Sequence, residues 1–401
     1  MTVTDPRARG IDSARGWIVV AAAFASMFTV FGVAYSFGAF FAPMAAEFGA
    51  STAATSVVFS LTGFTYFLLG SVAGVAADRY GPRRLLLLGA VAMGLGLLLT
   101  AQVQALWVGY ITYGLGVGIG VACGYVPMVA TVTGWFDQRR GAALGIAVSG
   151  IGVGTVAAAP VAAALIDRHG WRTTYVIFGI AAAAILVACA AIAAPPPASD
   201  ETAGNGSRLG PALRTRSFRL LYASILLLSL ALFMPFVYLT PFAEANGIGT
   251  VAAAGLIGVI GAASIVGRLL IGPLADRVGH LVAFRACFLV IGASYLIWFA
   301  GASYPVLASF AVVLGVGYGG FVALSPAVIA DLFGTEGLGG LIGLAYTAAA
   351  FGSLVGPPLA GVVIDAATYG SAIVIFLVFG LASWATLRYI RPASRHDQTA
   401  V

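Results

Sequence analysis

The chain reads as an all-α membrane protein of twelve transmembrane helices, arranged as two pseudo-symmetric six-helix bundles. Three observations predict this. Of 401 residues, 61% are hydrophobic and only 8% are charged, against about 25% charged in ordinary soluble domains. Apolar runs near the 20 residues needed to cross a bilayer recur along the whole chain. One charged string occurs twice, at the same place in each half of the sequence. The composition excludes soluble, disordered, collagen-like and disulfide-scaffold classes.

Hydropathy and breaker residues divide the chain into spans at roughly 17–42, 52–77, 84–103, 106–134, 141–166 and 173–194, then 219–243, 250–275, 281–302, 304–330, 338–364 and 371–389. Residues 1–16 are polar and form an N-terminal tail. The apolar run from Trp17 is too long for the core of a secretory signal. Residues 17–194 make the first bundle and 219–389 the second. Between them, 195–218 opens with Pro195-Pro196-Pro197, continues with Ser, Gly, Thr and Arg, and reads as a polar linker. Residues 390–401 form a C-terminal tail.

Every basic side chain is Arg, with no Lys among the 20 cationic residues. Three Arg lie in the N-terminal tail, three after span 2, two after span 4, four around the linker, two after span 8 and three at the C-terminus. Only Arg168 and Arg172 fall on the other side. This bias predicts both termini in the cytoplasm, with the spans in the cell (inner) membrane. The linker arginines would meet anionic lipid. Cys123, Cys189 and Cys287 sit in apolar runs without metal-ligand spacing, and they read as packing residues. His169, His280 and His396 read as solvated surface residues. No metal, cofactor, nucleic-acid partner or P-loop is expected, and a monomer suffices.

The repeated string is Gly74-x-x-x-Asp78-Arg79-x-Gly81 after span 2 and Gly272-x-x-x-Asp276-Arg277-x-Gly279 after span 8. Such an internal repeat marks a transporter built from two related bundles. Asp78, Arg79, Arg83, Asp276 and Arg277 are candidates for inter-helix latches that form and break as the bundles rock.

Further stretches carry a more specific likeness. They are Arg15-Gly16-Trp17, Tyr35-Ser36-Phe37-Gly38, Tyr125-Val-Pro127, Trp135-Phe136-Asp137-Gln-Arg139-Arg140-Gly, Arg268-Leu-Leu-Ile-Gly272 and Gly356-Pro357-Pro358. With the duplicated loop motif and the six-plus-six spans, the whole chain resembles the major facilitator superfamily, and within it the monocarboxylate porter branch. The resemblance implies a central cavity, rocker-switch alternating access and proton-linked symport of a small monocarboxylate such as L-lactate or pyruvate.

Arg268 is the one charge deep within a span, about eight residues and roughly 12 Å from the cytoplasmic helix end. A guanidinium at that depth is costly unless paired or hydrated. No carboxylate lies at the same depth, so a bound anion is its natural partner, and the planar fork suits a carboxylate. A single cation favours a monoanion over a dianion. The related oxalate:formate antiporters carry a Lys in span 11, which is absent from Tyr346-Thr-Ala-Ala-Ala350. Tyr125, Tyr318, Tyr35 and Tyr346 are candidate hydrogen-bond donors, and Ser264 lies one turn before Arg268. Animal members of the branch use a Lys in span 1 and an Asp in span 8 for proton coupling. Here Tyr35 and Ser264 stand at those positions, which leaves Asp331 and Glu336 as proton-coupling candidates. Two other readings stay open: an anion exchanger or uniporter without a proton, and a drug or hydrophobic-solute exporter of the same fold.

Overall fold

The computed structural model describes residues 13–136, 139–195, 215–334 and 338–390. The described chain is helical, and it is built as follows: α1 (Ala14–Tyr35), α2 (Phe37–Phe48), α3 (Thr52–Tyr80), α4 (Pro82–Thr100), α5 (Leu106–Gly109), a π-helical turn (Tyr110–Leu115), α6 (Gly116–Trp135), α7 (Arg140–Ile192), α8 (Arg216–Ala245), α9 (Thr250–Val278), α10 (His280–Ala300), α11 (Tyr304–Phe333), α12 (Leu338–Ala366) and α13 (Tyr369–Arg388). α1 and α2 together form span 1, and α5, the π turn and α6 form span 4. Gly170, with φ 79° and ψ 160°, breaks α7 into spans 5 and 6. Twelve crossings result. Glu336 lies outside the described residues, as do most of the linker, the tails and Asp137.

The helices run further than hydropathy alone suggests, because single glycines make the turns. Gly81 (φ 80°, ψ 155°) and Gly279 (φ 93°, ψ 136°) reverse the chain directly. Each N–H bonds back 2.8 Å to the carbonyl of the Ala four residues earlier, Ala77 or Ala275. Positive φ at these points favours glycine over any residue with a Cβ. The closing Gly of each repeated string therefore has a backbone reason, and Arg79 and Arg277 stand on the last helical turn instead of in a loop.

Glycine also sets helix spacing, as expected where lipid offers no hydrophobic drive between helices. On α7, Gly150 and Gly154 seat against the backbone of Phe24 and Phe28 on α1. On α12, Gly352 and Gly356 seat against Leu226 and Leu230 on α8. Spans 5 and 11 thus grip spans 1 and 7 by the same G-x-x-x-G device.

Two arginines act as staples. Arg172 pairs with Glu47 at 2.6 Å and donates to the carbonyls of Ala101 and Val103, tying the ends of α2 and α4 to α7. Arg285 donates to the carbonyls of Leu387, Arg388 and Ile390, closing the C-terminus of α13. Truncating Arg172 to Ala leaves two carbonyls without their donor. It is expected to lower stability by about 1–3 kcal/mol. Thermal denaturation in detergent measures this, and an unchanged midpoint would refute the staple.

Candidate functional site

Arg268 stands on α9 where the two bundles meet. Gly267, just before it, lets α9 lie against the Val316 backbone of α11. The Arg268 side chain crosses to the other bundle, where Nη1 donates to the Val148 carbonyl of α7 at 3.0 Å. Its Nε and Nη2 are buried without a hydrogen-bond partner. Among the described residues no carboxylate pairs with it. Its Cζ lies 6.0 Å from the Tyr318 ring centroid, a cation–π distance. A buried guanidinium with two free nitrogens and no counter-charge is poised for an external anion.

Beside it, between the bundles, lies a small cavity of about 40 Å3. Tyr35, Tyr66 and Tyr125 line it from the first six spans, and Tyr318 and Tyr346 from the last six. The hydroxyls of Tyr35 and Tyr318 hydrogen-bond to each other at 3.0 Å across the interface. Tyr35 ends α1 where span 1 breaks, and its ring stacks on Phe236 at 4.4 Å. Tyr125 meets Phe31 edge-on at 5.4 Å, and Tyr346 meets Phe67 at 5.9 Å. The structure thus brings Tyr35, Tyr125, Tyr318 and Tyr346 onto one cavity, with Arg268 at its edge and not in its lining.

Sequence reasoning overlooked Tyr66, Phe31, Phe233 and Ser229, which also line the cavity. Tyr66 lies among apolar neighbours in Phe64-Thr65-Tyr66-Phe67, and Ser229 interrupts a leucine-rich run. Neither has a local signal, because only the convergence of distant spans makes them neighbours.

Other candidates lie elsewhere. The Ser264 hydroxyl donates to its own helix at Gly261 (2.8 Å), and its backbone abuts Gly319. It does not reach the cavity. Asp331 is exposed at the end of α11, where it meets His280 Nδ1 at 2.8 Å. His280 also approaches Asp276 at 3.4 Å, so α9, α10 and α11 are linked through a histidine between two carboxylates. His280 is thus a partly exposed surface side chain, as read from the sequence, with a carboxylate on either side. α10 begins immediately after Gly279, so His280 opens a helix and its ring turns back onto α9 and α11. Asp276 meets His280 and not Arg277. Arg79 lies 5.4 Å from the Tyr80 ring, Arg83 is exposed, and the Asp78 side chain is outside the described set.

At the end opposite the arginine-rich loops, two carboxylates cross between the bundles. Asp365, ending span 11, accepts the backbone N–H groups of Thr52 and Ala53 at 3.3 and 3.2 Å, at the start of span 2. Asp167, ending span 5, accepts the Thr250 hydroxyl at 2.7 Å, at the start of span 8. A six-span offset relates the two contacts. Both place negative charge at a helix N-terminus, where the macrodipole favours it. Tyr238 reinforces this end by donating to the carbonyls of Pro357 and Thr52. Toward the arginine-rich end, the last described hydrogen bond between the bundles is that of Arg268 to Val148.

Two six-span bundles closed around one aromatic cavity, with a lone cation beside it, define a membrane carrier. The model of the Major Facilitator Superfamily matches residues 22–299 and 262–401. Monocarboxylate transporter 13 of Rattus norvegicus is 31% identical over 94% of this chain and 89% of its own length. Monocarboxylate transporter 13 of Bos taurus is 30% identical over 95% and 90%. A fungal relative, the MFS-type transporter pynF of Aspergillus niger, is 29% identical over 88% and 82%. The chain belongs to the major facilitator superfamily, in its monocarboxylate porter branch, and is a transporter and not an enzyme. Among solved structures, an inward-facing bacterial homolog of the human lysosomal transporter Spinster shares the fold, with TM-score 0.74 and 14% identity over 94% of this chain and 97% of that one.

Proposed function

We propose that this chain is a secondary active transporter of a small monocarboxylate, of the L-lactate or pyruvate kind, moved with a proton by rocker-switch alternating access. One observation carries the reading. Arg268, at the cavity edge, keeps two buried donors free and has no described counter-ion. A monocarboxylate satisfies both the charge and the fork. Sitting where the bundles meet, the guanidinium can respond to the movement of either. In this reading both termini and the arginine-rich loops face the cytoplasm of the cell (inner) membrane, a single chain suffices, and lipid surrounds it. Asp331 is the described proton-coupling candidate, at the far end of the His280 link.

A second reading is favoured by a specific observation: the residues lining the cavity include no carboxylate, histidine or lysine. Exchange or uniport of the same anion needs none. Uptake of a labelled monocarboxylate into proteoliposomes, with and without an inward proton gradient, separates the two. Gradient-stimulated uptake is the expected result. Uptake indifferent to the gradient would establish exchange or uniport instead, and no uptake of any acid would sink the carboxylate reading.

The crossing carboxylates give alternating access an observable. Each contributes about 0.5–1 kcal/mol at a helix N-terminus. Removing both in the double variant Asp167→Ala/Asp365→Ala is therefore expected to shift the population toward opening at that end by about 5- to 30-fold. Spin labels at the exposed Ala46 and Ala367, one on each bundle, report the change as growth of a longer distance. An unaltered distance distribution would show that these contacts do not hold the gate.

A further inference from the structure

At the arginine-rich end, one histidine stands between carboxylates from two other helices. His280 opens α10. Its Nδ1 lies 2.8 Å from Asp331 Oδ2 near the end of α11, and its Nε2 lies 3.4 Å from Asp276 Oδ1 near the end of α9. A neutral imidazole has one N–H and one acceptor nitrogen, while an ionised carboxylate only accepts. Both contacts are therefore hydrogen bonds only when the three groups share one proton more than a neutral ring between two carboxylates. The imidazole is the most basic of the three, so the ring holds that proton. The hydrogen bond to Asp331 above all, with that to Asp276, pushes the His280 pKa up from its ordinary value against a smaller opposing effect of burial. Arg277 is exposed beside Asp276, and Arg285, further along α10, is engaged with carbonyls at the end of α13. Among the described residues, Asp276 and Asp331 are thus the charged groups that face the ring.

We infer that His280 is a proton-binding site that clamps the arginine-rich ends of α9 and α11 together when charged and releases Asp276 when neutral. Its bearing on transport rests on the proposed carrier function, and it puts the titrating proton on the ring and not on Asp331. A neutral ring keeps one donor. The shorter contact, to Asp331, retains it, and the longer one, to the more exposed Asp276, is lost. The helices themselves carry the effect to the candidate site. Asp276 lies eight residues after Arg268 on α9, and Asp331 stands on the helix that carries Tyr318. Gly267 against Val316 and Gly319 against Ser264 already join these two helices at the level of Arg268. The charged ring adds a second tie at their ends, and the neutral ring gives it up. Because the pKa is raised in the folded chain, the tie is fully made at low pH and is lost as pH rises through that raised value.

Histidine-selective NMR titration of the full chain in detergent reads the ring directly, and the resonance lost in His280→Gln identifies it. The expected midpoint lies above 6.5, the ordinary imidazole value, and falls in Asp331→Asn. The melting temperature should follow the same sign. Wild type should exceed His280→Gln most at about pH 6, and the gap should close toward about pH 8.5. Exchange of labelled pyruvate across proteoliposomes, with equal pH on both sides, adds the functional arm. The rate of His280→Gln relative to wild type is expected to be at least about threefold higher at about pH 6 than at about pH 8.5, because only the charged ring restrains α9. A midpoint at or below 6.5, or one indifferent to both Asp331→Asn and Asp276→Asn, would overturn the clamp. A raised midpoint with a rate ratio that ignores pH would overturn its role in transport. No pyruvate exchange in either protein, with the midpoint raised and dependent on Asp331, would count against the carrier reading and leave the clamp standing.

Discussion

Replacing Arg268 with Ala is expected to abolish Arg-dependent carboxylate uptake while leaving a well-folded protein. The substrate carboxylate would enter a low-dielectric cavity with no cation to meet it. Losing the partner of a desolvated, hydrogen-bonded charge costs about 2–5 kcal/mol, or about 30-fold to several thousand-fold in kcat/KM. The fold itself does not depend on the guanidinium. It makes one hydrogen bond, to Val148, and keeps two buried nitrogens unpartnered. Removing a buried cation without a counter-ion relieves a desolvation penalty, so the detergent melting temperature should hold or rise. Lost transport with unchanged melting therefore separates substrate binding from misfolding. Arg268→Lys should fall between the two, because an ammonium keeps the charge but gives up the planar fork. Full transport in Arg268→Ala would return the chain to the drug-exporter reading.

The readability of Arg268 in the sequence has a simple cause. A charge in an apolar run is conspicuous, because hydropathy measures transfer to lipid. The same measure is blind to which face of a span meets lipid and which meets a cavity. Tyr35, Tyr125, Tyr318 and Tyr346 could be named as polar aromatics within spans, and Tyr125 and Tyr318 stand out because small residues flank them. Tyr66 and Ser229 could not, since nothing adjacent in sequence distinguishes them from packing residues. Asp167 and Asp365 read only as charges at span ends. Their reach across the bundle interface exists only once spans 5 and 8, and 11 and 2, are side by side. The all-helical, many-span character and the duplicated loop string were legible, while the helix ends were not, because the string encodes a direct backbone turn at Gly81 and Gly279 in place of a loop. Ser264 illustrates the converse error. It shares a helical face with Arg268 in one dimension, yet Gly319 draws the α11 backbone against it, and its hydroxyl turns to Gly261.

Substituting Gly154 with Ala is expected to damage the protein out of proportion to one methyl group. A Cβ there would sit 2.2 Å from the Phe28 carbonyl oxygen and 2.9 Å from that residue's carbonyl carbon and Cα. All three are backbone atoms, so no rotamer change can give way. α1 and α7 must separate by roughly 1 Å, and close glycine-mediated approach is what holds helices together in lipid. Overpacking of this kind costs about 1–3 kcal/mol even where side chains can adjust. The damage would also reach the site. Ile151 on the same helix lines the cavity, and Val148, six residues before Gly154, accepts the Arg268 hydrogen bond. Gly356→Ala, with its Cβ 2.5 Å from the Leu230 oxygen, should fail in the same way in the other bundle. Gly145 supplies the control, because a Cβ there meets nothing within 4 Å. Gly145→Ala should keep full transport, and the better helix propensity of Ala favours it by about 1 kcal/mol. Melting and uptake in detergent and proteoliposomes read all three. If Gly154→Ala behaved like Gly145→Ala, the α1–α7 contact would not be set by the glycine backbone approach.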